Sequence, residues 1–271
     1  MRRLVTAVVV AAMISLSGCG RQVTGLNLPS GGNGLVAAGQ TLIRFETAGP
    51  LDFQNLTYLI VFNTSGNGLQ PYALGYNSDF KNWSAYFIVG GGASFASAPA
   101  LEQVYQDPSS GAAKAFTVTY PASQVNFQTT IPTANAQFGF QITFNRCILD
   151  VAPPTANPPP ANDTNRLCPP YKNIATNWNV SLFTLDRGQN PVDSLGTNGP
   201  SDTSYKFQFE TAADVNTNFF KPASNSTVQN ASAQIVGIEV FSTPPLGAVP
   251  APSPNPSPST SPTATPTHAP A

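Results

Sequence analysis

"FGFQITFN", residues 138 to 145, alternates apolar residues with small or polar ones along its whole length. The even positions are Phe138, Phe140, Ile142 and Phe144, and the odd positions are Gly139, Gln141, Thr143 and Asn145. Successive side chains of a strand point to opposite faces of a sheet. This period of two therefore predicts a strand with one buried and one wetted face.

Similar short patterns recur between residues 35 and 243. The alternation returns at Phe116, Val118 and Tyr120, and again at Tyr205, Phe207 and Phe209. The segments "LTYLIVF" (56–62) and "AYFIV" (85–89) are apolar throughout, which predicts central strands covered on both faces. Further strand candidates are residues 40–46, 178–185 and 234–241.

Together these segments predict an all-β fold. They are rich in β-branched and aromatic residues, are separated by clusters of Gly, Asn, Pro and Ser, and show no helical period. Many short strands without intervening helices indicate an antiparallel β-sandwich. An immunoglobulin-like arrangement is the first expectation, and a jelly roll is the alternative.

The start of the chain has the pattern of an export signal. Arg2 and Arg3 precede an apolar run over residues 4–16. A charged start followed by a short apolar region is typical of a secretory signal peptide, whereas a spanning helix needs about 20 apolar residues. Residues 1–18 are therefore predicted to be a signal peptide.

The sequence "LSGC" at residues 16–19 resembles the lipobox of bacterial lipoproteins, and the resemblance covers only this end of the chain. It implies that the Cys19 thiol carries lipid and that the chain is cut before this residue. Several acyl chains would hold the protein on a membrane surface. Gly20 stands where an aspartate would signal inner-membrane retention, so the resemblance implies an extracytoplasmic protein, on the outer membrane if the host has one.

Lipidation of Cys19 leaves Cys147 and Cys168 in a compartment that permits disulfides, so we expect them to pair. Cys147 stands just before residues 151–170 and Cys168 lies near the end of this stretch, where proline is too dense for a central strand. A stiff linker between two domains is one interpretation of this stretch. A disulfide would instead make it a closed loop, so we expect one domain over residues 35–243.

Two segments outside that domain lack any period that could support a packed core. Residues 19–34 are rich in glycine and polar residues, and residues 244–271 in Pro, Ser, Thr and Ala. Such compositions are typical of a flexible tether and of a disordered tail.

The charge balance excludes nucleic-acid binding. The chain has 12 basic and 13 acidic residues, and removal of Arg2 and Arg3 with the signal peptide leaves 10 basic residues and a net charge of −3. Proteins that bind nucleic acid need a basic footprint, and this sequence has no such patch.

Catalytic possibilities are limited by the single histidine, His268, which lies in the tail. A Ser-His-Asp triad or a histidine-bearing zinc site needs an imidazole in a rigid pocket. We therefore expect a non-catalytic protein without metal or cofactor. A glycosidase using two carboxylates about 5–10 Å apart is the alternative. Its candidate acids are Glu46, Asp52, Asp79, Glu102, Asp107, Asp186, Asp193, Asp202, Glu210, Asp214 and Glu239.

The segment "LQPYALGYNSDFKNW", residues 69–83, sets four aromatic residues among amides and acids. They are Tyr72, Tyr76, Phe80 and Trp83. Aromatic faces beside amide side chains suit a saccharide or peptide surface. The competing interpretation is that these rings close one end of the core.

These observations predict a lipid-anchored, non-catalytic lipoprotein of the bacterial cell envelope that acts as a surface binding or structural module. Its expected partners are the membrane, through lipid at Cys19, and envelope polysaccharide or another envelope protein. The alternative is a carboxylate-dependent glycosidase or a glycan-processing accessory enzyme.

Overall fold

The computed structural model describes residues 36–72, 80–92, 99–129, 138–151, 177–196, 199, 202, 205–221 and 228–245. The predicted signal peptide, Cys19, the tether, Tyr76 and Cys168 lie outside these residues, as does most of the tail. The expectations for those parts stay predictions.

Twelve strands occur among the described residues. They are β1 (Gln40–Thr47), β2 (Thr57–Asn63), β3 (Ala85–Gly90), β4 (Ala100–Gln106), β5 (Ala113–Thr117), β6 (Val125–Gln128), β7 (Phe138–Asn145), β8 (Asn177–Leu185), β9 (Pro191–Ser194), β10 (Gln208–Glu210), β11 (Val215–Phe220) and β12 (Ile235–Ser242). Short 3-10 turns cover Ala122–Gln124 and Arg146–Leu149. This part of the chain contains no helix with the length and apolar character needed to cross a membrane.

The described strands form two antiparallel sheets. One has five strands in the order β11-β12-β1-β7-β6, and the other has seven, in the order β10-β8-β2-β3-β4-β5 with β9 paired to β8. Side chains from both sheets share one hydrophobic core. The predicted antiparallel β-sandwich is therefore confirmed, with more strands than the seven to nine of an immunoglobulin domain.

The alternating stretch that predicted the fold forms β7. Phe140, Ile142 and Phe144 are fully buried, while the polar residues between them are partly exposed. The Phe144 ring centroid lies 5.6 Å from that of Phe62 and 5.1 Å from that of Phe87, both in the other sheet. The buried face of β7 thus packs across the inter-sheet core, as its period of two requires.

The two apolar segments at 56–62 and 85–89 form β2 and β3, and every residue of both strands is buried. This confirms the prediction of strands covered on both faces. One set of alternate residues faces the inter-sheet core. The other set joins an outer cluster on the opposite face of the seven-stranded sheet, consisting of Leu59, Val61, Trp83, Tyr86, Ile88, Phe183 and Leu185.

Two predicted strands are shorter or displaced in the structure. The alternation at 116–120 corresponds to β5, which ends at Thr117, and the alternation at 205–209 corresponds to β10, which begins at Gln208. Val118 and Phe207 are nevertheless buried. An apolar side chain can pack against a sheet without its backbone being paired, so periodicity identified the buried residues better than the strand ends.

Sequence reasoning missed β4, β6, β9 and β11. Both β6 and β11 stand at edges of the five-stranded sheet, and each of their residues is either partly buried or exposed. An edge strand pairs on one side only, so its sequence needs fewer apolar residues. A segment such as "VNTNFF" consequently carries little strand signal.

Strands from both sides of the proline-rich stretch belong to the same sheets. β8, which follows that stretch, pairs with β2, and β12 pairs with β1. The described segments before and after residues 151–170 are therefore built into one pair of sheets.

Candidate functional site: a cleft at the open edge of the sandwich

The chain changes sheets between β5 and β6. β5 is an edge strand of the seven-stranded sheet, and β6 is an edge strand of the five-stranded sheet. Pro121, with φ −63°, caps the 3-10 turn between them. A proline ring fixes φ near this value and removes a backbone donor, so β5 pairing, which ends at Thr117, does not resume here and the chain turns across the open edge.

A cleft of about 510 Å³ opens at this crossing. It is lined by Pro99, Tyr120, Ala122, Ser123, Val125, Asn126 and Phe127. Its volume lies within the range of about 300–1,000 Å³ that is typical of small-ligand pockets. The cleft is therefore large enough for a small ligand or for one or two rings of a larger one.

Tyr120 and Phe127 form the two aromatic walls of the cleft, and contacts with neighbouring residues hold both rings in place. The Tyr120 hydroxyl donates a hydrogen bond to the Pro99 carbonyl, and partial burial raises the pKa of Tyr120. The Phe127 ring centroid lies 5.7 Å from that of Phe140 and 6.4 Å from that of Phe53. Both rings are thus positioned before any ligand arrives, which reduces the entropy lost on binding.

The chemistry of the cleft is neutral. None of its lining residues carries a charge, and Ser123 and Asn126 are exposed at its rim. A hydroxyl and an amide can both donate and accept hydrogen bonds. With two aromatic faces beside them, these groups suit an uncharged, hydroxyl-bearing ligand such as a saccharide, or a peptide.

Two described residues of the predicted ligand surface, Phe80 and Trp83, belong to or pack against the outer cluster. Trp83 is 6% exposed, and its ring stacks on that of Phe183 at 6.0 Å and 7°. Its Nε1 donates to the Tyr72 carbonyl at 2.9 Å. The expectation of an exposed Trp83 ring is therefore corrected: the outer face of β2 and β8 is apolar, and the indole covers it.

Tyr72 and Phe80 keep part of their surface accessible. The Phe80 ring lies 6.0 Å from that of Tyr86, and Lys81 Nζ lies 5.8 Å from the centroid of the Tyr72 ring. Tyr76, the remaining member of the predicted set, is outside the described residues. A ligand surface here stays a prediction that rests on Tyr72 and Phe80.

Several candidate acids have local partners. The carboxylate of Asp107 accepts from Lys114 and Ser109, that of Asp186 from Asn190, that of Asp193 from Lys221, and that of Glu102 from Tyr86. Hydrogen bonds to the ionised form, from Lys114 and Asn190 first, lower the pKa of Asp107 and Asp186. Within the described residues, no three Asp, Glu, His or Cys side chains group as metal ligands.

Glu46 differs from these acids. It is fully buried on β1, the central strand of its sheet, and neither carboxylate oxygen has a hydrogen-bond partner. Desolvation, and then the charge of Glu239, raise the pKa of Glu46 to about 7. Glu239 is itself paired with Arg44 at 2.6 Å. Two nearby acids with different environments are what a glycosidase needs, but a fully buried Glu46 contacts no substrate.

Cys147 lies in the 3-10 turn that follows β7. Its backbone N–H donates to the Asn145 side chain at 3.1 Å, which begins the turn. Because Cys168 is outside the described residues, its pairing with Cys147 stays a prediction.

Sequence reasoning did not identify the cleft. Its walls come from the segment that follows β5 and from β6, and the sequence pattern places Tyr120 only in an alternating strand. The one local signal is the break at Pro121, where apolar alternation gives way to exposed small and polar residues.

Comparison of the chain with protein-family models, with curated proteins and with solved structures gave no match.

Proposed function

We propose that this protein is a lipid-anchored, non-catalytic lipoprotein of the bacterial cell envelope. In this proposal the sandwich binds an uncharged ligand of the envelope-polysaccharide class in the cleft walled by Tyr120 and Phe127. The observation that carries the binding role is the cleft of about 510 Å³ with two fixed rings and an uncharged polar rim. The lipobox-like "LSGC" at residues 16–19 supports the anchored location.

The cleft favours a saccharide over a charged ligand for a physical reason. A charged ligand would lose hydration on entering a site without an opposite charge, and that loss is expensive. A sugar ring presents C–H groups that pack on an aromatic face and hydroxyls that exchange hydrogen bonds with Ser123 and Asn126. Anchoring by several acyl chains would keep such a site near envelope polymers.

Replacing Cys19 by Ala is expected to release the protein from the membrane fraction. The thiol is the proposed attachment point for lipid, so the variant would lose every acyl chain. Fractionation followed by intact-mass measurement checks this, with Cys147→Ala as a cysteine control that leaves the anchor intact. A Cys19→Ala protein that remains in the membrane pellet, beside a wild type without acyl mass, would contradict the anchored location.

The double variant Ser123→Ala/Asn126→Ala is expected to bind glycan about tenfold more weakly than the wild type, because it removes two hydrogen-bonding groups from the rim. Both residues are exposed, so the melting temperature should stay within about 2 °C of the wild type. Binding is measured on arrayed envelope polysaccharides and cell-wall glycan fragments.

The control for this experiment is Asn218→Ala, on the opposite edge strand β11. Asn218 is exposed like Asn126 but lies at the far side of the same sheet, so its removal should leave binding unchanged. The proposed binding role is wrong if the wild type binds no glycan, or if all variants bind every glycan as tightly as the wild type. The cleft would then be a gap in the packing between the two sheets and not a binding site.

A further inference from the structure

Arg146 continues the alternation of β7 one step beyond the end of the strand. Phe140, Ile142 and Phe144 point into the inter-sheet core, and Arg146, two residues later, is 1% exposed. Its backbone N–H donates to the Gly39 carbonyl at 3.0 Å, which fixes the start of the 3-10 turn. A guanidinium group is therefore buried at one end of the sandwich.

The hydrogen bonds of this guanidinium are incomplete. Nη1 donates to the Thr211 carbonyl at 2.5 Å, whereas Nε and Nη2 have no partner. The ion pairs found among the described residues join other side chains, and none includes Arg146. An arginine this deeply buried ordinarily has a carboxylate partner, because a buried unpaired charge is strongly unfavourable.

A second buried donor lies beside the same segment. Trp178, on β8, is fully buried, and its Nε1 has no hydrogen-bond partner. Its ring centroid lies 5.7 Å from that of Phe209, two residues before the Thr211 carbonyl that Arg146 contacts. A buried indole N–H usually has an acceptor, so the end of the core has unpaired donors on both of its sheets.

Among the described residues Glu46 has no hydrogen-bond partner and Arg146 has no ion-pair partner, but only Glu46 can become neutral by itself. Desolvation and the charge of Glu239 raise the pKa of Glu46 to about 7, so it takes up a proton near neutral pH. Burial lowers the pKa of Arg146 only to about 10. Arg146 therefore stays charged at neutral pH, and its charge must be balanced by something else.

We propose that Arg146 and Trp178 bind a compact monovalent anion, of the size and charge of chloride, at this end of the inter-sheet core. The unpaired donors are Arg146 Nε and Nη2 and Trp178 Nε1. A monovalent anion matches the single positive charge and leaves no net charge among the surrounding aromatic rings. A divalent anion would introduce an uncompensated charge into the same apolar region.

The anion stabilises the fold by closing the end of the sandwich. Arg146 reaches from the end of β7 in one sheet to Thr211, just beyond β10 in the other. An anion between the guanidinium and the indole on β8 adds a second link between the sheets. This role does not depend on the cleft at Tyr120, so the two proposals fail or succeed independently.

The test is thermal unfolding of the full-length protein in sodium chloride and in sodium gluconate at equal ionic strength. Chloride should raise the melting temperature by about 3–6 °C because it binds the folded state alone, whereas gluconate is too large to enter. The Arg146→Met variant should lose this difference. Arg44→Met is the matched control: Arg44 is on the same sheet and already has Glu239 as a partner, so the difference should persist.

Bromide diffraction on wild-type crystals provides a measurement that does not depend on the variant folding. An anomalous peak in contact with Arg146 Nη2 and Trp178 Nε1 is the expected result. Equal melting temperatures in chloride and gluconate for the wild type, or a bromide-soaked crystal without a peak at this position, would overturn the proposal. So would an Arg146→Met variant that keeps the full chloride effect.

Discussion

Replacement of Lys221 by Met is expected to reduce the free energy of unfolding by about 3–5 kcal/mol. Lys221 Nζ lies 2.6 Å from Asp193 Oδ1, and the two side chains are 3% and 1% exposed. Lys221 also donates to the Ser194 carbonyl at 3.0 Å. Methionine fills the same volume but leaves the Asp193 carboxylate buried with no cation, and that uncompensated charge is the main cost.

The pair links elements that are distant in the chain. Asp193 lies on β9, Lys221 follows β11, and Asp193 Oδ2 also accepts from the backbone N–H of Ile235 at the start of β12. Loss of Lys221 should therefore loosen the junction between β9 in one sheet and the β11–β12 pair in the other.

Urea unfolding of single and double variants checks this expectation. The double variant Asp193→Leu/Lys221→Met should recover much of the stability lost by Lys221→Met, since it removes both buried charges together. Lys114→Met is the control, because Lys114 pairs with Asp107 but its side chain is 52% exposed. Exposed pairs contribute under about 1 kcal/mol. A Lys221→Met loss no larger than that of Lys114→Met would contradict the prediction.

Replacement of Glu46 by Gln is expected to stabilise the protein by about 2 kcal/mol at pH 8 and by very little at pH 4.5. Glu46 is fully buried, and its neighbour across β12 is Gly237, where an added Cβ would lie 2.9 Å from Glu46 Oε2. The carboxylate thus lies directly against the backbone of β12 without a donor. Glutamine keeps the shape and never ionises.

The direction of the pH effect follows from the two pKa values of Glu46. Its pKa is about 7 in the folded protein against an ordinary value of 4.5. Between these values the folded state holds a proton that the unfolded state has released, so this group's contribution to stability falls as the pH rises through that window. Above about pH 7 Glu46 is ionised in both the folded and the unfolded state, so the stability lost through its ionisation no longer changes with pH.

Urea unfolding of the wild type and Glu46→Gln at pH 4.5, 6, 7 and 8 measures this effect as a stability difference that grows with pH. Glu210→Gln is the control, because Glu210 is exposed on β10. A difference between wild type and Glu46→Gln that is the same at all four pH values would show that Glu46 is not protonated in the folded state.

The central strands could be predicted from the sequence because burial alone determines which of their positions are apolar. β7 alternates, and β2 and β3 are apolar throughout, so each pattern reports directly which faces are covered. The edge strands β6 and β11 could not be predicted, because they pair on one side only and no residue in either strand is fully buried, so their sequences mix polar and apolar residues.

The candidate site and the buried charges depend on contacts between distant parts of the chain, which no local pattern reveals. The sequence shows Glu46 and Arg146 as charged residues, but not that Glu46 is buried without a hydrogen-bond partner or that two nitrogens of Arg146 are buried without one. Likewise, the sequence shows Asp193 only as one of several candidate acids, and its pairing with Lys221 appears only in the structure. The cleft exists because Tyr120, in the segment that follows β5, and Phe127, on β6, lie together where the chain crosses from one sheet to the other.

The double-sided burial of β2 and β3 removes the usual means of setting strand register. In a strand with one apolar face, a slip of one residue exposes the core set, which is strongly unfavourable. In β2 and β3 such a slip would exchange one apolar set for another. Gly90 supplies the missing constraint: its φ is +87°, and a Cβ there would lie 2.4 Å from the Leu56 carbonyl. Only glycine fits at that point, so the close contact between the end of β3 and the start of β2 fixes the alignment that hydrophobicity leaves undetermined.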